Sequence, residues 1–508
     1  MAGVVKSEGV TESERYLAKL GERNFLSLWS YPNLYTDEGR KNEKGQGKEL
    51  CDLLVVFGDH VVIFSDKDIA FKDTGNLTVD WGRWVNRAVL KSAHQIFGAE
   101  KWIRDQPNRI FLDKQCSHRF PLAIPDPKTV VFHRIVVARN ATKRFREHVR
   151  GRGSLIIAPE IIGDAHRAVP FRHGQVNPAR GYVHVLDDVA LDILLGELDT
   201  VSDFVNYLAR KEKFVASGQL GMAAGEEELL AFYLRNLNEE GQHDFVVPEP
   251  GATVAITEGL WDGLSRLPQY LNAKKENKIS YLWDSLIEQI APHVFHGTLQ
   301  YATTESVDQN ALALRVMASE SRVGRRVLAN AFAEKFETTP ADKRAVRTVF
   351  SPTTIDVGYV WLLYPRPDNW DNYEKHRQER AGLLTAYCHA FKAKCPQLRI
   401  IVGLACEPKG SGGGSEDLMY MDTTEWSDHD MEEARKIRQE LRLLLDENVR
   451  ETRGTAWEFP LPDSVGEDST HNTTAPGELR KKQKRKLAEQ RKQRRKSEKQ
   501  SRRRNRKK

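Results

Sequence analysis

The run Leu50-Cys-Asp-Leu-Leu-Val-Val-Phe57 is followed, after only Gly58-Asp59, by His60-Val-Val-Ile-Phe64. Two apolar stretches rich in β-branched and aromatic residues, parted by a Gly-Asp pair, predict a compact antiparallel hairpin. The flanks fill in around it. Thr11-Glu-Ser-Glu14 is a capping-box pattern, and Tyr16, Leu17 and Leu20 follow on one helical face, with Gly21 expected to end that helix. Residues 24–30 read as a strand and 32–47 as a polar loop. After the hairpin, residues 83–104 predict a long amphipathic helix whose stripe is Val85, Val89, Ala93, Ile96 and Ile103. Residues 129–138 return as a strand. The expected order is α-β-β-β-α-β.

Further along, 182–186 reads as a strand, 189–198 and 201–213 as helices, and 226–334 as a broken helical stretch. Thr339-Pro340 is expected to open another helix, with Thr at the cap and Pro in the first turn. A second α/β region follows, with strands at 346–350, 357–364, 398–404 and 417–421. Its helices are 373–394 and one capped by Ser427 that runs to about 444. The expected fold class is therefore α/β: an N-terminal α/β domain over 1–215, a helical region over 216–335, a second α/β domain over 336–462, and a linker with a disordered basic tail over 463–508.

Charge divides the chain sharply. The net charge is +6, but 18 of the 77 Lys and Arg fall in residues 480–508 with only 2 of the 71 acids. That leaves 59 bases against 69 acids in residues 1–479, an acidic body carrying a basic tail. Dense Lys and Arg without aromatic residues suit counterion-release binding to nucleic acid, DNA or RNA, without sequence readout. A nuclear address or ribosome binding fits the same run. The acidic body is expected to meet a protein partner of its own. Five scattered cysteines without a Cys-x-x-Cys pair argue against disulfides and a structural zinc site and for a reducing, cytoplasmic setting. No apolar run approaches the ~18 residues of a membrane span, and no secretory pattern opens the chain.

Chemistry concentrates in Gly47-Lys-Glu-Leu-Cys-Asp52 and, at the end of the second strand, Ser65-Asp66-Lys67. A hairpin sets Asp52 and Lys67 near one end of adjacent strands, where a carboxylate can hold a divalent metal and a lysine can orient water. On the following helix, Lys91 and Gln95 stand one turn apart.

This arrangement over roughly residues 11–140 resembles the PD-(D/E)XK nuclease superfamily, and within it the nuclease-related (NERD) and Mrr-type branches. The resemblance implies a restriction-endonuclease-like core that cleaves DNA or RNA phosphodiesters with Mg2+ or Mn2+. It assigns Asp52 to the metal and Lys67 to the water, with Gln95 or Lys91 at the phosphate. The chain departs from the family at the second acid, where Ser65 stands two residues before Lys67. Glu49, Glu14 or Asp66 would have to complete the metal shell. Strand alternation puts Asp66 on the opposite face from Ser65 and Lys67, so a bulge would be needed to re-aim it. Glu49 differs in parity from Asp52. The rival expectations are a nuclease-fold adaptor without activity and a protein-interaction factor.

Other signals are weaker. His184, Asp187 and Asp188 suggest a metal site, but Asp187 or Asp188 is better read as the cap of the next helix. Lys409-Gly-Ser-Gly-Gly-Gly-Ser415 reads as a flexible hairpin loop rather than a phosphate cradle. Glu407, Glu416 and Asp417 flank it as a possible acidic group. No His-Glu-x-x-His, Gly-x-Ser-x-Gly or dinucleotide fingerprint occurs.

Overall fold

The computed structural model describes residues 6–40, 45–247, 249, 251–299, 306–366, 373–411, 415–452, 454 and 456–460. The basic tail 480–508, the linker 463–477 and part of the 409–415 loop lie outside the described residues. The architecture is mixed α/β. Among the described residues no helix is long and apolar enough to cross a membrane, and all five cysteines are free.

The N-terminal elements are α1 (Glu12–Phe25), β1 (Ser30–Thr36), β2 (Lys48–Phe57), β3 (His60–Lys67), α2 (Leu77–Val85), α3 (Lys91–Asp105), β4 (Ile110–Phe111) and β5 (Val131–Ala138). Thr11 and Glu14 close the capping box that starts α1. Gly21 does not end the helix. It sits inside it, where a side chain would collide with Ser30 and Leu53, so the glycine serves a close helix–sheet approach. The chain turns only at Leu26, which caps α1 with φ near 65°.

β1 covers residues expected as loop. It lies between β2 and the two-residue β4, but β4 pairs only with Tyr35 and Thr36. At Pro32 the strand is therefore an edge, the position where a missing N–H costs no ladder bond.

The hairpin β2–β3 forms as expected and is buried from Leu50 to Phe57 and from Val61 to Asp66. The crossover from β3 to β5 runs through α2, a π-helical turn at Asn86–Leu90, and α3. The whole expected stripe, Val85, Val89, Ala93, Ile96 and Ile103, is buried, at about 1.5–3 kcal/mol for each larger side chain. Glu100 of α3 accepts two bonds from Arg134 of β5, at 2.6 and 2.8 Å, fixing the helix to one sheet face.

Then come α4 (Thr142–Val149), β6 (Ile156–Ile162), β7 (Arg172–Gln175), β8 (Val183–Leu186), α5 (Asp188–Glu197), α6 (Val201–Ala216), β9 (Leu220–Ala223), α7 (Glu226–Arg235) and β10 (Val254–Ile256). The first sheet has the order β4-β1-β2-β3-β5-β8, antiparallel through β3 and parallel from β3 to β8. A second sheet, β10-β9-β6-β7, was not expected. Its strands run three to seven residues, and two of them interrupt the sequence around the stretch expected to be helical.

The helices α8 (Leu260–Ser265), α9 (Pro268–Glu276), α10 (Tyr281–His296), α11 (Val307–Asn310), α12 (Leu312–Ala318) and α13 (Arg322–Thr338) precede the third sheet. Thr339 does not open a helix as expected. Its hydroxyl donates to the Lys335 carbonyl at 2.7 Å, so it closes α13, and Pro340 follows a helix end. The third sheet, β11 (Ala345–Phe350), β12 (Val357–Leu363), β13 (Ile400–Cys406) and β14 (Asp417–Asp422), packs with α14 (Tyr373–Lys394), and α15 (Asp428–Glu440) lies against α14. All three sheets belong to the compact unit formed by residues 1–459.

Candidate functional site

Ser65 and Lys67 lie on the α3 face of the first sheet. Pairing sets Ser65 beside Val136 and Ile63 beside Arg134, whose side chain meets α3. Asp52, one residue before the Leu53–Phe64 pair, faces the same side. Its carboxylate accepts the Asp66 backbone N–H at 2.6 Å and stands 3.5 Å from the Lys67 ammonium.

Glu49 joins this face through a register shift. Leu34 pairs with Cys51, but Tyr35 pairs with Glu49, so Leu50 is an extra residue in β2. A β-bulge of this kind reverses the alternation of everything beyond it. It carries Glu49 onto the side that plain alternation denied it.

Glu49, Asp52, Ser65 and Lys67 line a cavity of about 610 Å³ whose far wall is α3, with His94, Gln95, Gly98, Lys101, Trp102 and Asp105. Burial raises the Asp52 carboxyl above the usual range against the pull of Lys67. Burial also raises Glu49, and the neighbouring Asp52 adds to the rise. Two partly desolvated carboxylates that oppose each other's ionisation are the donor set a divalent cation relieves. Mg2+ commonly takes one or two protein carboxylates and completes its octahedron with water and substrate phosphate, which fits the pair Asp52 and Glu49.

The remaining sequence candidates fall elsewhere. Asp66 is not re-aimed, because β3 pairs without a register shift. It faces away, and its oxygens accept from Arg139 Nε at 2.8 Å and Nη2 at 2.9 Å. Glu14 is near but committed, accepting from the Val10 and Thr11 backbones and from Asn33 Nδ2. Gln95 lines the cavity, whereas Lys91 does not.

Sequence reasoning missed His94 and Lys101. Their signal was a helical stripe through Gly98, where an added Cβ would meet no atom within 4 Å. A mid-helix glycine that no neighbour requires keeps that part of the wall open.

Asp187 accepts from the Val189 and Ala190 backbones, the helix cap expected of it. Glu407 and Asp417 do not form an acidic site. Glu407 pairs with Arg366, and Asp417 with Arg377 and Arg380.

No protein-family model matches the chain, and comparison with curated proteins and with solved structures found no match.

Proposed function

We propose that the chain is a metal-dependent nuclease-like protein that hydrolyses DNA or RNA phosphodiesters at the cavity between the β2–β3 strand ends and α3. The observation that carries this reading is the Leu50 bulge, which sets Glu49 beside Asp52 on the face that holds Lys67. It supplies a second acid where Ser65 offers only a hydroxyl. The helix–three strands–helix–parallel strand order supports the same resemblance to the PD-(D/E)XK nucleases.

In this reading Asp52 and Glu49 hold Mg2+ or Mn2+, which when bound supplies a water of lowered pKa and neutralises phosphoryl charge. Lys67 donates to the attacking water and offsets negative charge as it develops on phosphorus-bound oxygen. Gln95 and Lys101, on the opposite wall, position the phosphate. The water oxygen forms a bond to phosphorus and gives up one proton to solvent while the bond to the leaving oxygen breaks, and that oxygen takes up a proton from solvent. The tail 480–508 raises local concentration on nucleic acid without choosing a sequence.

A second reading is an adaptor that keeps the fold and binds nucleic acid without cutting it. What favours it is Ser65 itself, a buried hydroxyl that lines the cavity with Asp52 at the position of the second acid.

One experiment decides between the two. Purified full-length chain is incubated with plasmid, single-stranded DNA and RNA in Mg2+, Mn2+ or EDTA, beside Lys67→Ala. Metal-dependent cutting that falls at least ~100-fold in Lys67→Ala supports the nuclease. Binding without cutting of any substrate supports the adaptor.

A further inference from the structure

The opposite face of the same sheet carries a second group of polar side chains. Alternation from Arg134 sends His133 away from α3 and toward α6. His184 of β8 follows on that side, paired with Ile135. Glu212 of α6 reaches down to both. His133 Nδ1 and His184 Nε2 each stand 2.9 Å from Glu212 Oε1. Both imidazoles are fully buried, while the Glu212 side chain is 24% exposed. The three ligand atoms lie within 4.8 Å of one another, the one such His/Cys/Asp/Glu group among the described residues.

We propose that His133, His184 and Glu212 bind a divalent transition-metal ion of the zinc class, with the fourth coordination position open to solvent beside Glu212. Two imidazoles and one carboxylate form a nitrogen–oxygen donor set that zinc accepts, with three protein ligands and one exchangeable position. Ligands about 2.0–2.1 Å from a tetrahedral ion stand roughly 3.3–3.4 Å apart. The two nitrogen–oxygen edges therefore need to spread by only a few tenths of an ångström from their 2.9 Å contacts, and the nitrogen–nitrogen edge lies within 4.8 Å.

The outer shell is already present. His60 Nδ1 lies 3.0 Å from His133 Nε2, with the two rings stacked at 14°. When Nδ1 of His133 gives its lone pair to the ion, its proton resides on Nε2 and is donated to His60. That is the second-shell bond that holds a ligating imidazole in one tautomer and orientation. The ligands come from two neighbouring strands and a covering helix, so the ion would cross-link β5 and β8 to α6.

This site is separate from the cavity at Asp52. The register aligns His133 with Val62 and, through Ile135, His184 with Phe64. These positions are five and three residues before Lys67, roughly 10–17 Å along the strand, and the two sets of side chains face opposite sides of the sheet. The proposal does not rest on nuclease activity.

The full-length chain, stripped with chelator and dialysed, is titrated with Zn2+ while bound metal and thermal midpoint are recorded. The expected result is one zinc per chain and a raised midpoint, both lost in Glu212→Gln and His184→Gln and both kept in Asp52→Asn. X-ray absorption of the zinc-loaded wild type is expected to report two imidazoles. That measurement is independent of whether the variants fold, and the Asp52 cavity, with its single histidine, does not match it. A folded wild type that takes up no zinc, or zinc bound with fewer than two imidazoles, or zinc retained by folded Glu212→Gln and His184→Gln, overturns the proposal and leaves a hydrogen-bonded His-Glu-His cluster.

Discussion

Asp52 and Asp66 are both buried carboxylates at the same end of the hairpin, yet their partners predict opposite responses to the same change. Asp66, its side chain fully buried, holds Arg139 through two charged bonds, and besides these Arg139 has a 3.5 Å contact with the half-exposed Asp188 and lies over the Tyr16 ring. Asp66→Asn keeps one oxygen acceptor but removes the countercharge. Breaking a buried ion pair by neutralising one partner costs about 3–5 kcal/mol. Burial pushes the Asp66 carboxyl up and Arg139 pulls it only part of the way back. The pair therefore belongs at or just below the low end, about 2–3 kcal/mol. With a urea slope of ~3 kcal/mol/M, the unfolding midpoint should fall by roughly 0.7–1 M.

Asp52→Asn removes a charge that burial already disfavours, and the amide oxygen can still accept from the Asp66 backbone. Its midpoint should move by no more than ~0.3 M, since the lost charge is one that burial opposes and its partner Lys67 keeps access to solvent, which holds the loss within about 1 kcal/mol. Any stabilisation by Mg2+ should vanish with it. Urea titrations followed by tryptophan fluorescence, with and without Mg2+, read both variants. Should Asp66→Asn leave the midpoint in place while abolishing metal-linked stabilisation, the assignment of the two faces is wrong.

Further outcomes follow from the same geometry. If Glu49 substitutes imperfectly for the missing acid, Ser65→Glu should raise metal affinity by about tenfold, read by Mn2+ titration; unchanged or weaker binding would mean that Glu49 already completes the shell. Glu227, buried against Ser154, has its carboxyl raised from 4.5 to about 7 by burial. The folded state thus holds a proton the unfolded chain has released, and this contribution is full below pH ~4.5 and lost as pH rises through ~7, worth roughly 3 kcal/mol. Glu227→Gln should therefore gain stability relative to wild type between pH 4.5 and 7.5, and a difference that does not change with pH in thermal unfolding refutes it. Asp284 accepts from Arg322 at 2.8 Å and Arg325 at 2.6 Å, both buried. Asp284→Ala leaves buried Arg325 without its carboxylate and Arg322 with Asp199 alone, and should cost about 3–5 kcal/mol; a loss below 1 kcal/mol by chemical denaturation would show that water or Asp199 suffices.

What could be read in the sequence was whatever repeats at short range. The hairpin, the buried stripe of α3 and the cap at Asp187 each follow from residues within a few positions of one another. The bulge at Leu50 leaves no comparable mark, because an extra strand residue is defined by its partner, and that partner, β1, hides behind Pro32 and Asn33 as an apparent loop. The face of Glu49 was unreadable for that reason. Gly21 and Thr339-Pro340 misled in the other direction. Glycine within α1 answers a tertiary contact with Leu53, and Thr-Pro serves helix ends as readily as helix starts. His133, His184 and Glu212 are spread over 79 positions, so only the sheet order brings them together.

The first sheet ties these features into one physical argument. Its parallel strands are apolar through their middles, Val61–Phe64 and Ile135–Ala138 being buried throughout, and polar residues gather toward the two ends. A ladder of paired backbone leaves nothing reactive in mid-strand, whereas each end opens onto loops and helix edges where a side chain can be held on one side and solvated on the other. Toward the carboxyl end of β3 the result is Ser65 and Lys67, with Asp52 of the antiparallel β2 alongside, facing α3; toward the amino ends of β3, β5 and β8 it is His60, His133 and His184 facing α6. Since the two groups lie on opposite faces of the sheet, they share only the sheet's stability. Zinc at the histidines should therefore stabilise wild type and Asp52→Asn alike and leave Mg2+-dependent cleavage unchanged, and a change in cleavage rate on loading zinc would show that the sheet transmits more than stability between its ends.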